Sequence, residues 1–187
     1  PIPEEIGLLS NLEFLSLRNN SFEGSIPCSI GNLSNLVVLS LGMNRLNSTI
    51  PSELGLCTNL VQLYLGWNSF SGTIPPEIGN LQSLCTLIMG GNGLNGKLPD
   101  TLASLENLRD LSLSDNNFSG SLPRDLGKKS PNLTYVDFSN NSFSGELPPG
   151  LCNGFSLQWL YVNDNNFSGI LPDCLKNCSE LIRIRAD

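Results

Sequence analysis

The chain contains no histidine in 187 residues, and only 14% of its residues are charged. Without an imidazole, neither a Ser-His-Asp nor a Cys-His arrangement can be assembled from this chain. A zinc site also loses its commonest nitrogen ligand, and none of the six cysteines falls in a CxxC pair. No metal and no cofactor is therefore expected. Cations are scarce as well, with 10 Lys and Arg against 17 Asp and Glu, a net charge of −7. Nucleic acid is a poor partner for such a chain, because phosphate binding needs clustered Lys and Arg. No apolar run approaches the ~18 residues of a membrane span, and no secretory signal opens the chain. Neither a GxxxxGK[ST] loop nor a kinase-type glycine-rich loop occurs. What is present is a 40% share of apolar residues, enough to build a core and to exclude disorder.

Those apolar residues recur in phase. Taking the first Leu of each LxxLxLxxN unit, the marks fall at Leu12, Leu36, Leu60, Leu84, Leu108, Leu133, Leu157 and Leu181. The step is 24 residues, except for one of 25 where Gly127-Lys128-Lys129-Ser130-Pro131 carries an extra residue. The Asn closing each unit keeps step at Asn20, Asn44, Asn68, Asn92, Asn116, Asn141 and Asn165. Chance clustering does not hold such a phase, so the chain is an array of stacked repeats.

Each residue type has a physical task. Leu36, Leu39 and Leu41 point inward from a short strand that stacks in parallel on its neighbours, and Leu63 and Leu111 are expected inward in the same way. Ser112, between two inward leucines, is expected outward and tolerant of substitution. The Asn ladder offers amides to backbone groups at the turn leaving the strand. An apolar spine follows at Phe22, Leu46, Phe70, Leu94, Phe118, Phe143 and Phe167. Two residues on comes Gly24, Gly72, Gly96, Gly120, Gly145 and Gly169, with Ser48 the exception. Ile-Pro or Leu-Pro then turns the chain to the outer face, and a stretch such as Pro76–Leu81 predicts a short helical turn. No such unit can bury its apolar side alone, so stability comes from stacking. The expected organisation is one array over 1–187, with a partial repeat at 1–11, seven full repeats at 12–180 and a partial repeat at 181–187. It reads as a capless segment of something longer.

The unit LxxLxLxxNxFSGxIPxxIGNLxx resembles the plant-specific leucine-rich repeat over the whole chain, and its SGxIP element is highly specific. The resemblance implies an α/β solenoid, a right-handed superhelix with a parallel concave sheet. The family includes ectodomains of plant receptor-like kinases, receptor-like proteins and polygalacturonase inhibitors. Glu146–Cys152 and Asn177–Arg185 look most like the receptor kinases. That group implies a secretion signal, capping segments, a membrane span and a cytosolic kinase, none of them in this chain.

Six cysteines occur, at Cys28, Cys57, Cys85, Cys152, Cys174 and Cys178. Cys57 and Cys178 share a repeat offset and read as small buried apolar side chains. Cys152, Cys174 and Cys178 lie on the outer side of consecutive repeats. A bridge from Cys152 to either Cys174 or Cys178 is sterically compatible with an oxidising compartment. Eight N-x-S/T sequons stand at Asn19, Asn32, Asn47, Asn117, Asn132, Asn140, Asn166 and Asn177. The repeat template itself places Asn two residues before Ser, and Asn19 and Asn140 would sit beside the ladder. Together with the resemblance, the sequons favour an extracellular glycoprotein.

The non-leucine positions of each strand form ordered columns on the concave sheet. Two patches emerge from them. Val38, Met43, Tyr64, Trp67 and Ile88 make an apolar group beside Gly42, Gly66, Gly90 and Gly91, glycines that would let a ligand backbone come close. Tyr135, Trp159 and Tyr161 make the second, flanked by Asp110, Asp137 and Asp164 and ending on Arg183 and Arg185. The two arginines leave one side of one strand and match a charge-assisted grip on a carboxylate. They resemble the Arg-x-Arg element with which several plant peptide-hormone receptors hold the free carboxyl end of their ligand. Asp110 and Asp137 imitate a glycosidase pair, but an open sheet gives too little desolvation to raise one pKa. The expected role is non-catalytic. It is the ligand-binding segment of a plant cell-surface receptor ectodomain, with a secreted peptide or protein as partner and a co-receptor through other repeats. The alternative is a secreted inhibitor-like or receptor-like defence protein that binds a pathogen protein. Either places it on the extracellular side of the plasma membrane or in the cell wall.

Overall fold

The 24-residue phase becomes a pitch. In the computed structural model, which describes residues 1–187, eight three-residue strands stack in chain order into one parallel sheet. They are β1 (Phe14–Ser16), β2 (Val38–Ser40), β3 (Gln62–Tyr64), β4 (Thr86–Ile88), β5 (Asp110–Ser112), β6 (Tyr135–Asp137), β7 (Trp159–Tyr161) and β8 (Arg183–Arg185). The register is one residue per repeat throughout: Leu39 lies between Leu15 and Leu63, and Val136 between Leu111 and Leu160. A second, narrower sheet of parallel pairs runs along the next side of the coil. It comprises Ser71–Gly72, Gly93–Gly96, Asn117–Gly120, Ser142–Gly145 and Asn166–Phe167, with a separate pair Glu23–Gly24 and Arg45–Leu46.

The helical turns expected after each Pro form, but as 3₁₀ rather than α-helix. Seven occur, including Cys28–Asn32, Ser52–Leu56, Pro76–Asn80 and Asp100–Ser104. Each is entered through a Pro whose carbonyl accepts the first i+3 bond, as Pro27 O does from Ile30 N–H at 3.0 Å. Five residues are too few to nucleate an α-helix, and 3₁₀ geometry is the usual form of so short a piece. The exception is the 25-residue repeat, where the extra residue spreads the segment into successive hydrogen-bonded turns over 124–129.

The core is a single cluster running the length of the coil. Leu36, Leu39, Leu41, Leu63 and Leu111 are fully buried in it. The Phe spine stacks along the axis, with Phe118, Phe143 and Phe167 rings 5.8 and 6.0 Å apart. The Asn ladder does what its chemistry requires. Asn68 Nδ2 donates to Leu41 O at 3.0 Å and Leu65 O at 3.1 Å, while its Oδ1 accepts from Leu46 N–H at 3.0 Å. No buried side-chain polar atom lacks a partner. The glycine column has a conformational reason: Gly24, Gly72, Gly96, Gly120, Gly145 and Gly169 all have φ between 75° and 85°. Ser48 is forced into the same region at φ 70°.

One expectation is corrected here. Ser112 faces the concave side as expected but is not open to solvent. It is 7% exposed, lies between Ile88 and Asp137 in the register, and its Oγ is 3.3 Å from Ser114 Oγ. Facing outward on a concave sheet is not the same as being exposed, because bulky neighbours on adjacent strands close over a small side chain.

Candidate functional site

The strands present two rows of side chains on the concave face. The outward residue before the central apolar residue reads Phe14, Val38, Gln62, Thr86, Asp110, Tyr135, Trp159 and Arg183. The one after it reads Ser16, Ser40, Tyr64, Ile88, Ser112, Asp137, Tyr161 and Arg185. A third row follows at the strand exits: Asn19, Met43, Trp67, Gly91, Asp115, Asn140 and Asp164. All seven have positive φ, between 53° and 71°. Asn, Asp and Gly tolerate this conformation, whereas Met43 and Trp67 do not adopt it readily. Two bulky apolar residues held in a disfavoured backbone region, side by side, are a local marker of function. Sequence reasoning placed both residues in a patch but missed this signal. It was readable, because every other member of the column is Asn, Asp or Gly.

The first patch assembles around them. Met43, Tyr64, Trp67 and Ile88 line a concavity of about 230 Å³ together with Gly42, Gly66 and Arg18. Trp67 is 61% exposed and Met43 41%. The indole lies on Gly91, where an added Cβ would come within 2.8 Å of two ring carbons, so that glycine is the seat of the ring. Arg18, which the sequence reading did not single out, closes one end, with Nη2 3.8 Å from Met43 Sδ. Val38 is on the same face but does not line this cleft.

The second patch is an aromatic group backed by carboxylates. The Tyr135 ring lies 6.4 Å from Trp159 and 5.9 Å from Tyr161, tilted by 54° and 52°. Its hydroxyl donates to Asp137 Oδ2 at 3.1 Å, and Asp137 Oδ1 accepts from the Ser139 backbone N–H and hydroxyl at 3.0 and 2.6 Å. Burial first, then the adjacent Asp137 charge, pushes the Tyr135 phenol well above the usual tyrosine range. Asp110 accepts from Thr86 Oγ1 at 3.1 Å, and Asp164 from Asn163 Nδ2 at 2.6 Å. None of Asp110, Asp115, Asp137 and Asp164 meets a Lys or Arg, for all five ion pairs of the chain lie elsewhere.

Arg183 and Arg185 stand on β8 beside Trp159 and Tyr161. They do not share a partner here. Arg185 Nε donates to Asp187 Oδ1 at 3.0 Å, a hydrogen bond that raises the guanidinium pKa and lowers that of the carboxylate. Arg183 has no ion pair.

On the outer side, Cys152 is joined to Cys174, with Cα atoms 5.7 Å apart, and Cys178 is a free thiol. Cys57 and Cys178 are both buried, and burial pushes the Cys57 thiol up to about 11. The eight sequon asparagines are all exposed. Asn140 differs from the rest in that its Nδ2 already donates to Asp115 Oδ1 at 2.7 Å.

A parallel concave sheet, an internal Asn ladder and 3₁₀ turns on the outer side define a leucine-rich-repeat solenoid. The Leucine Rich Repeat family model matches at residues 11–33, 35–57, 59–81, 83–105, 107–128, 132–153 and 156–178. The chain belongs to that family. No curated protein matches it in sequence. Among solved structures it is similar to a TDR receptor, with 40% identity and a TM-score of 0.96 over 99% of this chain and 32% of that one. It is similar to PEPR1 in its structure with AtPEP1, with 40% identity and a TM-score of 0.93 over 96% of this chain and 25% of that one. It also resembles the Arabidopsis receptor kinase HAESA, solved with the peptide hormone IDA and the co-receptor SERK1. There the identity is 34% and the TM-score 0.90, over 95% of this chain and 30% of that one. The chain thus spans about a quarter to a third of these receptors' length.

Proposed function

We propose that this chain is a ligand-binding stretch of a plant cell-surface receptor ectodomain, and that it holds a secreted peptide along its concave face. The observation that carries the reading is the pair of aromatic patches, Met43–Tyr64–Trp67–Ile88 and Tyr135–Trp159–Tyr161, on the concave sheet. The exposed Trp67 and the half-buried Tyr64, Tyr135, Trp159 and Tyr161 leave apolar ring surface open on the sheet, which is costly unless a partner covers it. Their placement on separate strands suits a ligand running across the strands rather than a point contact. Resemblance to PEPR1 with AtPEP1 and to HAESA with IDA supports a peptide, and the latter's SERK1 supports a co-receptor contacting other repeats. A location on the extracellular side of the plasma membrane agrees with the Cys152–Cys174 bridge and with eight exposed sequons. The role itself is binding; any kinase activity would belong to a domain outside this chain.

Arg183 and Arg185 would take the ligand's carboxyl end, with Asp187 released from Arg185 on binding. The test is a synthetic ten-residue peptide library with free carboxyl ends, compared with its amidated twin, on the protein and on Arg183→Ala/Arg185→Ala. A charge-assisted bond contributes about 1.5–3 kcal/mol, so losing both arginines should weaken binding by roughly 10²-fold or more. Amidation should cost a similar factor on the protein and little more on the double variant, since the partner is already gone. Additive losses would return the arginines to the role of a solvated surface pair.

A further inference from the structure

The aromatic patch around Tyr135 has a sign. Tyr135, Trp159 and Tyr161 turn tilted rings toward one another, and Asp137 is hydrogen-bonded into the same group through the Tyr135 hydroxyl. In the strand register Asp110 is the neighbour of Tyr135, and Asp137 the neighbour of Tyr161. The π-faces of tyrosines attract a cation, and two carboxylates beside them that meet no Lys or Arg of this chain leave that attraction unspent. In the register Arg183 neighbours Trp159 and Arg185 neighbours Tyr161, so of the three rings Tyr135, two strands from the arginines, is the one that favours a cation. The first patch has the opposite character: its floor is apolar, and Arg18 stands at one end.

The strand ladder turns these positions into distances. Neighbouring parallel strands are ~4.8 Å apart, and an extended peptide advances ~3.3 Å per residue. From β8, which bears the arginines, the Tyr135 and Tyr161 strands lie one or two steps away, roughly 5–10 Å. The strands of Tyr64 and Ile88 lie four or five steps away, roughly 19–24 Å.

We infer that the peptide held on this face carries a basic side chain about two or three residues before its free carboxyl end and a large apolar side chain about six or seven residues before it. The basic group packs on Tyr135, at the edge of Tyr161, and faces Asp110 and Asp137. The apolar one enters the cleft of Met43, Tyr64, Trp67 and Ile88. This rests on the peptide-binding reading and narrows it from any secreted peptide to one with a defined spacing of cation and bulk.

The experiment is position-by-position sequencing of the free-carboxyl ten-residue library retained by the protein, by Asp137→Asn and by Tyr135→Phe. On the unaltered protein, Lys and Arg should be enriched about tenfold over Ala at the second or third position before the carboxyl end. Leu, Ile, Phe or Trp should be enriched at the sixth or seventh. Asp137→Asn should erase most of the basic preference while leaving the apolar preference and the sensitivity to amidation intact. The latter two show that the variant is folded. Tyr135→Phe keeps the ring and should retain part of the basic preference. Retained peptides that depend on a free carboxyl end but show no basic preference would overturn the inference and spare the peptide-binding reading. A basic preference at some other spacing, or one unchanged in Asp137→Asn, overturns it as well. If no free-carboxyl peptide is retained, the peptide-binding reading fails and takes the inference with it.

Discussion

Single residues in a solenoid are judged by the column they stand in. Leu63 and Leu111 are central in their strands and fully buried, so replacement by Ala should cost about 2–5 kcal/mol each in urea unfolding. Ser112→Ala should cost less but more than nothing, about 0.5–1.5 kcal/mol, because its hydroxyl is buried against Ser114. Equal losses for the two kinds of substitution would mean the inward and outward faces are wrongly assigned. Ser48 supplies the opposite sign. It sits at φ 70° in a column otherwise filled by glycine, and Ser48→Gly should raise stability by about 1 kcal/mol. A stability loss there would show that the Ser48 hydroxyl, 3.2 Å from Asn47 Oδ1, outweighs the backbone strain. Tyr135 adds a pH dependence. Its phenol titrates above its ordinary value of 10.0 in the folded chain, so the neutral form is favoured by folding. That contribution is complete below pH 10 and is lost as the pH rises above it, where the unfolded chain gives up the proton first. Melting temperature followed upward from pH 9 should fall more steeply for the protein than for Tyr135→Phe, and parallel curves would remove Tyr135 from the account.

At the scale of elements, three-residue strands and five-residue turns are each too short to stand alone. What holds them is transfer of hydrogen bonds to the next repeat. The inner Asn ladder is one such transfer, and an outer one was not foreseen: Asn35, Asn59 and Asn107 each donate to a backbone carbonyl one repeat earlier, on Ser10, Ser34 and Gln82. The 25-residue repeat interrupts this outer series. Asn132 stands where Asn107 stands one repeat earlier, yet it makes no such bond and lines an open recess with Arg109, Thr134 and Ser156. Backbone crowding marks the same place, since a Cβ on Gly154 would overlap the carbonyl of Pro131. Gly154→Ala should therefore lower the melting temperature, because the neighbour it meets is main chain and cannot rotate away. An unchanged melting temperature would show that this irregular stretch yields freely.

Over the whole molecule, stability is a sum of neighbour interfaces rather than the property of one centre. The five ion pairs are all solvent-exposed and should contribute little, so moderate salt should not shift the unfolding midpoint appreciably. The Cys152–Cys174 bridge acts on the last repeats, closing a loop with a sequence separation of 22. Its reduction should cost about 2–4 kcal/mol in denaturant unfolding. A midpoint insensitive to reductant would mean that the last repeats unfold independently of the rest. The two ends of this 187-residue chain also carry exposed apolar side chains, Leu8 and Phe14 at one and Ile182 and Ile184 at the other. Expressed as it stands, the chain should self-associate through these faces. Sedimentation as a stable monomer with a single cooperative unfolding transition would contradict this.

The period, the inward leucines, the Asn ladder and the glycine column were all legible in the order of residues. Each answers to a local rule, such as alternation along a strand, amide chemistry at a turn or freedom at positive φ, that repeats every 24 residues. The columns of the concave face follow from the same period, which is why both aromatic patches could be named in advance. The three-dimensional arrangement decided the rest. That Met43 and Trp67 sit in strained backbone is a property of the folded coil, and that Gly91 seats the indole and Ser112 lies between Ile88 and Asp137 is set by residues about 24 apart. So is the pairing of Cys152 with Cys174 rather than Cys178, while Arg185 takes Asp187, two residues on, rather than a shared anion. A one-dimensional pattern states which side of the strand a residue leaves. How far its neighbours then lean over it depends on their size and on the curvature of the stack, and those exist only once the repeats are packed together.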